Sequence, residues 1–271
     1  LGAELTGTDE LDSVIEGVRD SYFGLDEEIH YQDIQKIADQ DFDKAGLIIR
    51  KLTRSLATRI SRRYRQSKKK QKLDIRRTIR KNIKYGGTLL ELKYKTKRIH
   101  KPELLLLCDV SASMARYAGF ILHFVYGLSS VVDNIESFVF SEDLDRITSA
   151  FEQDQSFATT MADIMNQSRE LGRGTDLNLA LTKLLKNHGQ LLTKKRIIII
   201  VSDTKTLAPD KAASQLADIQ ARVREIIWLN TLPKRDWKSS KAIDLFRNNC
   251  VMFECYTLAH LEKVIHNKLS F

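Results

Sequence analysis

Oxygen-bearing side chains stand at three separated points of this chain, each beside a segment that looks like a strand or a helix. A D-x-S-x-S group follows the apolar run Leu104–Cys108, and a Ser-Asp pair follows a second apolar run, Arg196–Val201. Between them, a Gly-Thr-Asp triplet opens a helix-like segment. Hard divalent cations are held by oxygen atoms, and Mg²⁺ takes few protein ligands while keeping several waters. The pattern predicts a cation site made of Asp109, Ser111, Ser113, Thr175 and Asp203.

Each group has a simpler explanation when it is considered alone. Ser111 or Ser113 could cap a helix, because serine is a preferred N-cap residue. Thr175 or Asp176 could cap the helix that follows them, and a Ser-Asp pair after a strand is an ordinary loop sequence. The three groups together, in this order and beside predicted strands, favour metal binding over coincidental capping.

The residue types also define what such a site can do. The hydroxyls of Ser111 and Ser113 can ligate a divalent ion directly, and that of Thr175 can do so directly or through a water. Asp109 and Asp203 can bind the ion or hold its waters. Two carboxylates only balance the charge of the ion, so it remains electrophilic and can take a further oxygen from a Glu or Asp of another protein. We expect Mg²⁺, with Mn²⁺ or Ca²⁺ able to replace it in vitro, as a bridge between proteins.

Sequence signals of catalysis are missing from the chain. It contains no G-x-x-x-x-G-K-[ST] phosphate loop, so we do not expect it to hydrolyse ATP by itself. It also lacks H-E-x-x-H and the G-x-S-x-G nucleophile elbow. No catalytic residue is therefore proposed, and the chain is not expected to be an enzyme.

Length, hydropathy and cysteine content indicate a cytoplasmic protein. The 271 residues suffice for one α/β domain with an additional segment. No run of about 18 uncharged apolar residues occurs, so we expect no transmembrane segment. The three cysteines have no metal-ligand spacing, and we interpret them as small buried residues of a reduced protein.

Charge is distributed in blocks that the net charge of +9 conceals. Residues 1–43 carry 2 basic and 13 acidic residues, whereas residues 44–101 carry 22 basic and 2 acidic residues. The basic block has three interpretations: a solvated face neutralised by the acidic block, a docking surface for an acidic protein, or a surface for nucleic acid or an anionic membrane. Cations alone supply affinity for nucleic acid without sequence specificity, and aromatic residues for base stacking are sparse in this block.

The N-terminal part of the chain is predicted to be helical up to about residue 65. Apolar residues at positions 11, 14, 15, 18 and 22 follow helical spacing, and so do those between Gly46 and Tyr64. Lys68-Lys69-Lys70 is predicted to be a hinge or disordered strip. Residues 74–84 are predicted to form a short basic helix or arm, followed by a Gly86-Gly87 turn and a strand that alternates from Leu90 to Lys95.

From residue 103 onward, short apolar strands alternate with helical segments. This alternation predicts a doubly wound, mostly parallel sheet covered by helices on both faces, which is an α/β fold. Ligands of such sheets bind beyond the carboxyl ends of the strands, at a topological switch point. The strands are predicted at 104–108, 137–140, 145–148, 196–201, 225–229 and 251–255, and the helices at 114–132, 157–167, 177–187, 209–224, 240–247 and 258–268.

Several longer motifs resemble one known family. LLLLCDVSASM (104–114), SFVFSEDLDRIT (137–148), GRGTDLNLAL (172–181), RIIIIVSDT (196–204) and IIWLN (226–230) are similar to those of a von Willebrand factor A (vWA) domain with a metal-ion-dependent adhesion site (MIDAS). RRTIR (76–80), Gly86-Gly87 and the basic stretch before the first strand resemble the CoxE-like group of bacterial proteins. The resemblance covers roughly residues 74–271.

The resemblance implies a partner and a role. CoxE-like proteins are typically encoded with AAA+ ATPases of the MoxR type and are thought to work with them in metallocofactor insertion or other enzyme maturation. It also implies an organisation into a helical N-terminal segment (1–65), a basic linker with a β extension (66–101) and a vWA domain (102–271). Two positions depart from the family pattern, since Ala112 and Thr204 stand where glycine is usual.

Overall fold

A computed structural model describes most of the chain. The described residues are 27–69, 71–85, 91–96, 103–129, 132, 134–151, 156–168 and 172–268, and the side chains of 57–72, 95–96 and 165–167 are outside the description. The predicted helix over residues 11–22 and the Gly86-Gly87 turn therefore lie outside the described residues. No helix in the described ranges is both long and apolar enough to cross a membrane.

The N-terminal part consists of a long helix followed by a small helix-and-hairpin unit. The long helix, α1, spans Phe42–Lys69. The unit that follows contains β1 (Gln71–Leu73), the short helix α2 (Ile75–Asn82) and β2 (Tyr94–Thr96). β1 and β2 pair in antiparallel orientation. We refer to residues 71–96 as the hairpin unit.

The remainder alternates strands and helices, as the apolar pattern predicted. Its elements are β3 (Glu103–Asp109), α3 (Ala115–Ser129), β4 (Ile135–Phe140), β5 (Leu144–Arg146), α4 (Thr148–Phe151), α5 (Phe157–Gln167), α6 (Leu177–Asn187), β6 (Arg196–Ser202), α7 (Pro209–Arg222), β7 (Glu225–Asn230), α8 (Lys241–Arg247), β8 (Val251–Glu254) and α9 (Leu258–Asn267).

Strands β3 to β8 form a single sheet in the order β5-β4-β3-β6-β7-β8. All neighbours are parallel except β4 and β5, which are antiparallel. The chain enters at β3, moves outward through β4 and β5, and returns to β6 on the other side of β3. The predicted mostly parallel α/β sheet is confirmed, and its topological switch point lies between β3 and β6.

Two hydrophobic layers cover the sheet because successive strand residues point to opposite faces. Leu104 and Leu106 of β3 join the layer formed with α1, α3, α5 and α9. Leu105 and Leu107 join the opposite layer, formed with α6, α7 and α8. An uninterrupted apolar strand with both faces buried is typical of a parallel sheet.

The long helix α1 is part of the sheet domain's core. Ile49 and Leu56 of α1 are fully buried in the same layer as α3. The helix continues through Lys68 and Lys69, so the predicted hinge at these lysines is wrong; Lys70 lies outside the described residues. Intrahelical hydrogen bonding satisfies the backbone despite the run of cations. The predicted domain boundaries at residues 65 and 101 stay a prediction.

The predicted strand from Leu90 to Lys95 is shorter than expected. Strand pairing begins at Tyr94, and Leu90 lies outside the described residues. Before Tyr94, the backbone is engaged by α2: the amides of Glu91 and Lys93 donate to the side-chain oxygens of Asn82 and Thr78. Hydrogen bonds to side chains of α2 thus replace the strand pairing that the alternating sequence predicted for these residues.

The cysteines match their interpretation as reduced, packed residues. Cys108 and Cys255 are buried, Cys250 is partly buried, and none forms a disulfide. Burial raises the pKa of Cys250 and of Cys255 to about 12, which keeps both as thiols at neutral pH.

Candidate metal centre

The candidate site lies at the carboxyl ends of the two central strands. Asp109 is the last residue of β3 and Ser202 is the last residue of β6. The strands are parallel neighbours with Cys108 paired to Val201, which brings these two residues side by side. The fold therefore joins the D-x-S-x-S group and the Ser-Asp pair, which are far apart in sequence, at the switch point.

Asp109 is the centre of the hydrogen-bond network at this edge. Its carboxylate is fully buried and accepts from the Ser111 amide at 3.0 Å and from the Ser202 hydroxyl at 2.7 Å. Burial raises the pKa of Asp109 to about 6, and the charge of Asp203 adds to this while bonds from Ser111 and Ser202 oppose it. The site therefore contains negative charge that a cation would stabilise.

The two serines of the motif lie next to each other. Ser111 Oγ is 3.4 Å from Ser113 Oγ, and Ser111 is buried whereas Ser113 is exposed. Ser111 precedes the 3₁₀ turn Ala112–Met114, but its side chain makes no capping hydrogen bond. Helix capping, the simpler explanation for this residue, therefore does not account for the Ser111 hydroxyl.

Backbone hydrogen bonds join the loop that carries Thr175 to the loop that carries the two serines of the D-x-S-x-S group. The Gly172 amide donates to the Val110 carbonyl at 2.9 Å, and the Ala112 amide donates to the Arg173 carbonyl at 3.0 Å. Thr175 is half-buried and, within the described part of the chain, makes no direct hydrogen bond to the other four candidate residues.

Asp176 behaves differently from its neighbour. It caps α6 by accepting from the Leu179 amide, so the capping interpretation is confirmed for Asp176. Its amide also donates to the Ser141 carbonyl at 2.7 Å, which ties the Thr175 loop to the end of β4.

Asp203 lies beyond β6 in a turn of unusual conformation. Its buried carboxylate accepts from the Lys205 amide at 3.1 Å and pairs with the Lys205 ammonium at 3.0 Å. Thr204 has φ of 65°, a left-handed conformation in which glycine is more favourable. This explains why glycine is usual at position 204 in the family pattern. Here the Thr204 amide donates to Ser202 Oγ at 3.1 Å, which supports the turn.

Two residues at this edge of the sheet were not predicted from the sequence. Ser202 was quoted only as part of a loop, although its hydroxyl bonds Asp109, and Lys205 was not considered although it pairs with Asp203. The only sequence signal for Ser202 is its position directly after the apolar run of a predicted strand, and its contact with Asp109 depends on the strand order. Lys205 gave no such signal, since its pairing depends on the turn at Thr204.

The donor set fits a hard cation that is bound largely through hydroxyls and waters. Within the described ranges, no three His, Cys, Asp or Glu side chains are clustered so that they could hold a metal ion. A site here must therefore combine the two carboxylates with serine and threonine oxygens. Such a set suits Mg²⁺, which takes one or two carboxylates and keeps several waters.

Comparison with known families agrees with this architecture. The profile of the family described as VWA domain containing CoxE-like protein matches residues 48–264, which is well over half of the chain. The chain belongs to this family. The match begins within α1, so the family region of this CoxE-like vWA protein includes most of the helix that packs on the sheet.

Solved structures resemble this CoxE-like chain at low sequence identity. Proximal thread matrix protein 1 of the mussel byssus, in a structure with a zinc-occupied MIDAS motif, is 14% identical with a TM-score of 0.43 and 61% of this chain covered. The match spans about half, 47%, of that chain. The manganese-loaded TRAP protein of Plasmodium vivax is 12% identical with a TM-score of 0.43, covering 63% of this chain and 73% of that one.

A third structure, a von Willebrand factor type A protein of Catenulispora acidiphila, is 12% identical with a TM-score of 0.42. It covers 66% of this chain and 43% of that one. A comparison with curated protein sequences finds no significant match.

Proposed function

We propose that this protein binds Mg²⁺ through Asp109, Ser111, Ser113, Thr175 and Asp203, and uses the ion to bind an acidic residue of a partner protein. The observation that carries the proposal is the buried Asp109 carboxylate at the switch point, flanked by the hydroxyls of Ser111 and Ser202. Buried charge is costly unless it is compensated. A divalent ion next to Asp109 and Asp203 provides that compensation.

The residues of the chain have distinct tasks in this proposal. Asp109 and Asp203 attract the cation, and the serine and threonine hydroxyls surround it without neutralising it further. Ser202 orients Asp109 through its hydrogen bond, as outer partners of metal ligands commonly do. The bound metal supplies an electrophilic position for a carboxylate oxygen of the partner, and no chemical step follows. This is the task of a binding module, not of an enzyme.

Membership of the CoxE-like group supports a more specific role. We propose that the chain is a cytoplasmic adaptor that couples an AAA+ ATPase of the MoxR type to a client enzyme during maturation or metallocofactor insertion. The client is expected to present an exposed Asp or Glu to the metal site.

A metal titration tests the site itself. Calorimetric titration of the wild-type chain with MgCl₂ and MnCl₂ is expected to give one site, and Asp109→Ala is expected to abolish it. Asp176→Asn is the matched control, because it lies next to Thr175 and asparagine still caps a helix. Equal binding by wild type and Asp109→Ala would disprove the metal site.

A pull-down tests the adaptor role. The MoxR-type ATPase and candidate client are each captured with wild-type protein in Mg²⁺ and in EDTA, and with Asp109→Ala in Mg²⁺. Capture that requires both the metal and Asp109 supports the proposal. Capture that is unchanged under all three conditions contradicts a metal-bridged contact even if the site binds Mg²⁺.

Nucleic-acid binding by the basic block is the second candidate function. It is favoured by the cations of α2, Arg76, Arg77, Arg80 and Lys81, all of which are exposed. This activity would fall steeply with salt concentration, because phosphate contacts release counterions. It would also persist in EDTA, which separates it from the metal-dependent function.

A further inference from the structure

The helix α2 has its polar residues buried and its apolar residues exposed, the reverse of an ordinary amphipathic helix. Thr78 and Asn82 are buried against the strand side of the hairpin unit. The Asn82 amide donates to the Glu91 carbonyl at 2.7 Å, and Thr78 Oγ1 accepts from the Lys93 amide at 2.9 Å. Hydrogen bonds, rather than an apolar core, therefore hold α2 onto the hairpin.

Apolar side chains are concentrated on the outside of this unit. Of the twelve large hydrophobic residues that are exposed in the described part of the chain, seven lie between residues 73 and 94. Such a concentration marks an interaction surface, whereas single exposed apolar residues are normal. The seven are Leu73, Ile75, Ile79, Ile83, Tyr85, Leu92 and Tyr94.

The same surface is strongly basic. Residues 71–96 contain eight basic and two acidic residues. The two acidic residues are already engaged within the unit, since Asp74 caps α2 and Glu91 lies 3.5 Å from Lys84 and 3.3 Å from Lys93. The partner that fits this surface therefore combines an apolar stripe with negative charge. A second copy of the same surface would bring cations against cations.

One segment of the chain itself has this combination. Residues 1–26, which lie outside the described residues, contain seven acidic residues and one basic residue. Residues 9–22 have apolar side chains at the helical positions 11, 14, 15, 18 and 22. Asp12, Glu16 and Asp20 repeat at intervals of four, as Arg76, Arg80 and Lys84 do in the hairpin unit.

We infer that residues 9–22 dock in cis on the exposed isoleucine face of the hairpin unit. The apolar stripe of the segment covers Ile75, Ile79 and Ile83, and its carboxylates meet the neighbouring cations. The lengths are compatible, because a helix over residues 9–22 is about 21 Å long and the isoleucine row spans about 12 Å. Docking would occupy the basic face and keep it from acidic or nucleic-acid partners while the segment is bound.

Carbodiimide cross-linking of the intact chain tests this contact. The reagent joins a carboxylate to an amine only where the two are in direct contact, and the products are mapped by mass spectrometry. We expect cross-links from Glu10, Asp12, Glu16 or Asp20 to Lys81 or Lys84. Cross-links from Glu91 to Lys84 and Lys93 serve as the internal positive control, since these pairs are already close.

Paired variants test whether the isoleucine face forms the contact with residues 9–22. Ile79→Asp is expected to lower the yield of the segment cross-links by roughly tenfold, because it removes one buried isoleucine from the contact. Leu47→Asp on α1 is the matched control, as Leu47 is 52% exposed and Ile79 is 53% exposed. Val18→Asp changes the segment instead of the hairpin unit and is expected to have the same effect as Ile79→Asp.

Three results would overturn the inference. The first is a wild-type chain that yields the Glu91 control cross-links but none from residues 9–20. The second is an unchanged yield of segment cross-links in both Ile79→Asp and Val18→Asp. The third is obtained by mixing light and heavy isotope-labelled protein: segment cross-links that join a light to a heavy chain would mean that the contact forms between two molecules.

Discussion

Ser202 and Asp109 form a hydrogen bond between the carboxyl ends of the two central strands, β6 and β3. The Ser202 hydroxyl donates to Asp109 Oδ2 at 2.7 Å, and both residues are buried. This bond leaves Asp109 Oδ1 with the Ser111 amide as its partner at 3.0 Å. The orientation of the Asp109 carboxylate is thus fixed by one contact from the next strand and one from its own loop.

Ser202→Ala should weaken metal binding without removing a proposed ligand. Loss of the hydroxyl frees the Asp109 carboxylate to rotate, and outer partners of metal ligands typically contribute a factor of about 10 to 100 in affinity. Calorimetric titration with Mn²⁺ measures the change. Ser137→Ala is the control. Ser137 is an equally buried serine on β4, next to β3, but the pairing register of these strands places it away from their carboxyl ends, where the site lies. Equal affinity of both variants would argue against an orienting role for Ser202.

The strand ends that carry Asp109 and the Ser202-Asp203 pair could be predicted because each end is signalled locally in the sequence. An uninterrupted apolar run predicts a buried strand, and the first polar residue after it marks the carboxyl end, as at Asp109 and Ser202. The fold class followed from the same alternation, and α5 and α6 begin and end where the spacing placed them. These features depend on residues that are close together in the sequence.

Features that depend on contacts between distant segments could not be predicted. The continuity of α1 through Lys69 was missed because a run of cations resembles a linker when its helical neighbours are unknown. The early end of β2 pairing was missed because Asn82 and Thr78 compete for the backbone of residues 91–93. The interaction of Ser202 with Asp109 required the strand order, which places β6 next to β3.

Removing the Lys205 side-chain charge should strengthen metal binding. The Lys205 ammonium lies 3.0 Å from Asp203 Oδ2, where it competes with a cation for the carboxylate. Because Lys205 is largely exposed, the gain for Lys205→Met is expected to be modest, about twofold to fivefold in affinity. Lys241→Met is the control: its ion pair with Asp210 has a similar length, 3.1 Å, but involves no candidate ligand. A weaker site in Lys205→Met would instead mean that this lysine organises the turn for the metal.

Stability should decrease in mildly acidic solution because of His123. His123 lies on α3 and packs against α1, and its burial lowers its pKa to about 4 from an ordinary value of 6.5, with a further contribution from Arg50. Below pH 6.5 the unfolded chain binds a proton that the folded chain does not, so the free energy of unfolding falls as the pH drops toward 4. The loss is on the order of 2–3 kcal/mol. Urea unfolding at several pH values measures it.

His123→Phe isolates this contribution. Phenylalanine keeps the stacking on Phe157, whose ring centroid lies 3.3 Å from that of His123, but it cannot be protonated. Other histidines, such as His188 and His260, add the same pH dependence to both proteins. The variant should therefore lose less stability than wild type between pH 6.5 and 4. Parallel pH profiles for the two proteins would show that protonation of His123 does not limit stability.

Close approach of α1 and α3 requires glycine at position 127. A methyl group added at Gly127 would lie 2.6 Å from Thr53 Oγ1 and 2.8 Å from Thr53 Cγ2, which is well inside contact distance. Thr53 cannot easily move, because its hydroxyl is bonded to the Ile49 and Arg50 carbonyls. We therefore expect Gly127→Ala to destabilise the protein by about 1–3 kcal/mol, the typical result of overpacking. Without the clash, the same change would stabilise a helix by up to about 1 kcal/mol.

A double variant separates these two effects. Thr53→Ala removes the two nearest atoms, Oγ1 and Cγ2, and leaves only Thr53 Cβ at 3.0 Å, so the Gly127→Ala change should be much less destabilising in that background. The coupling between the two substitutions, measured from urea midpoints of the four proteins, should then be on the order of 1–3 kcal/mol. Additive effects would indicate that the helices move apart to accept the methyl group. In that case α1 would be docked less rigidly than its buried residues Ile49 and Leu56 imply.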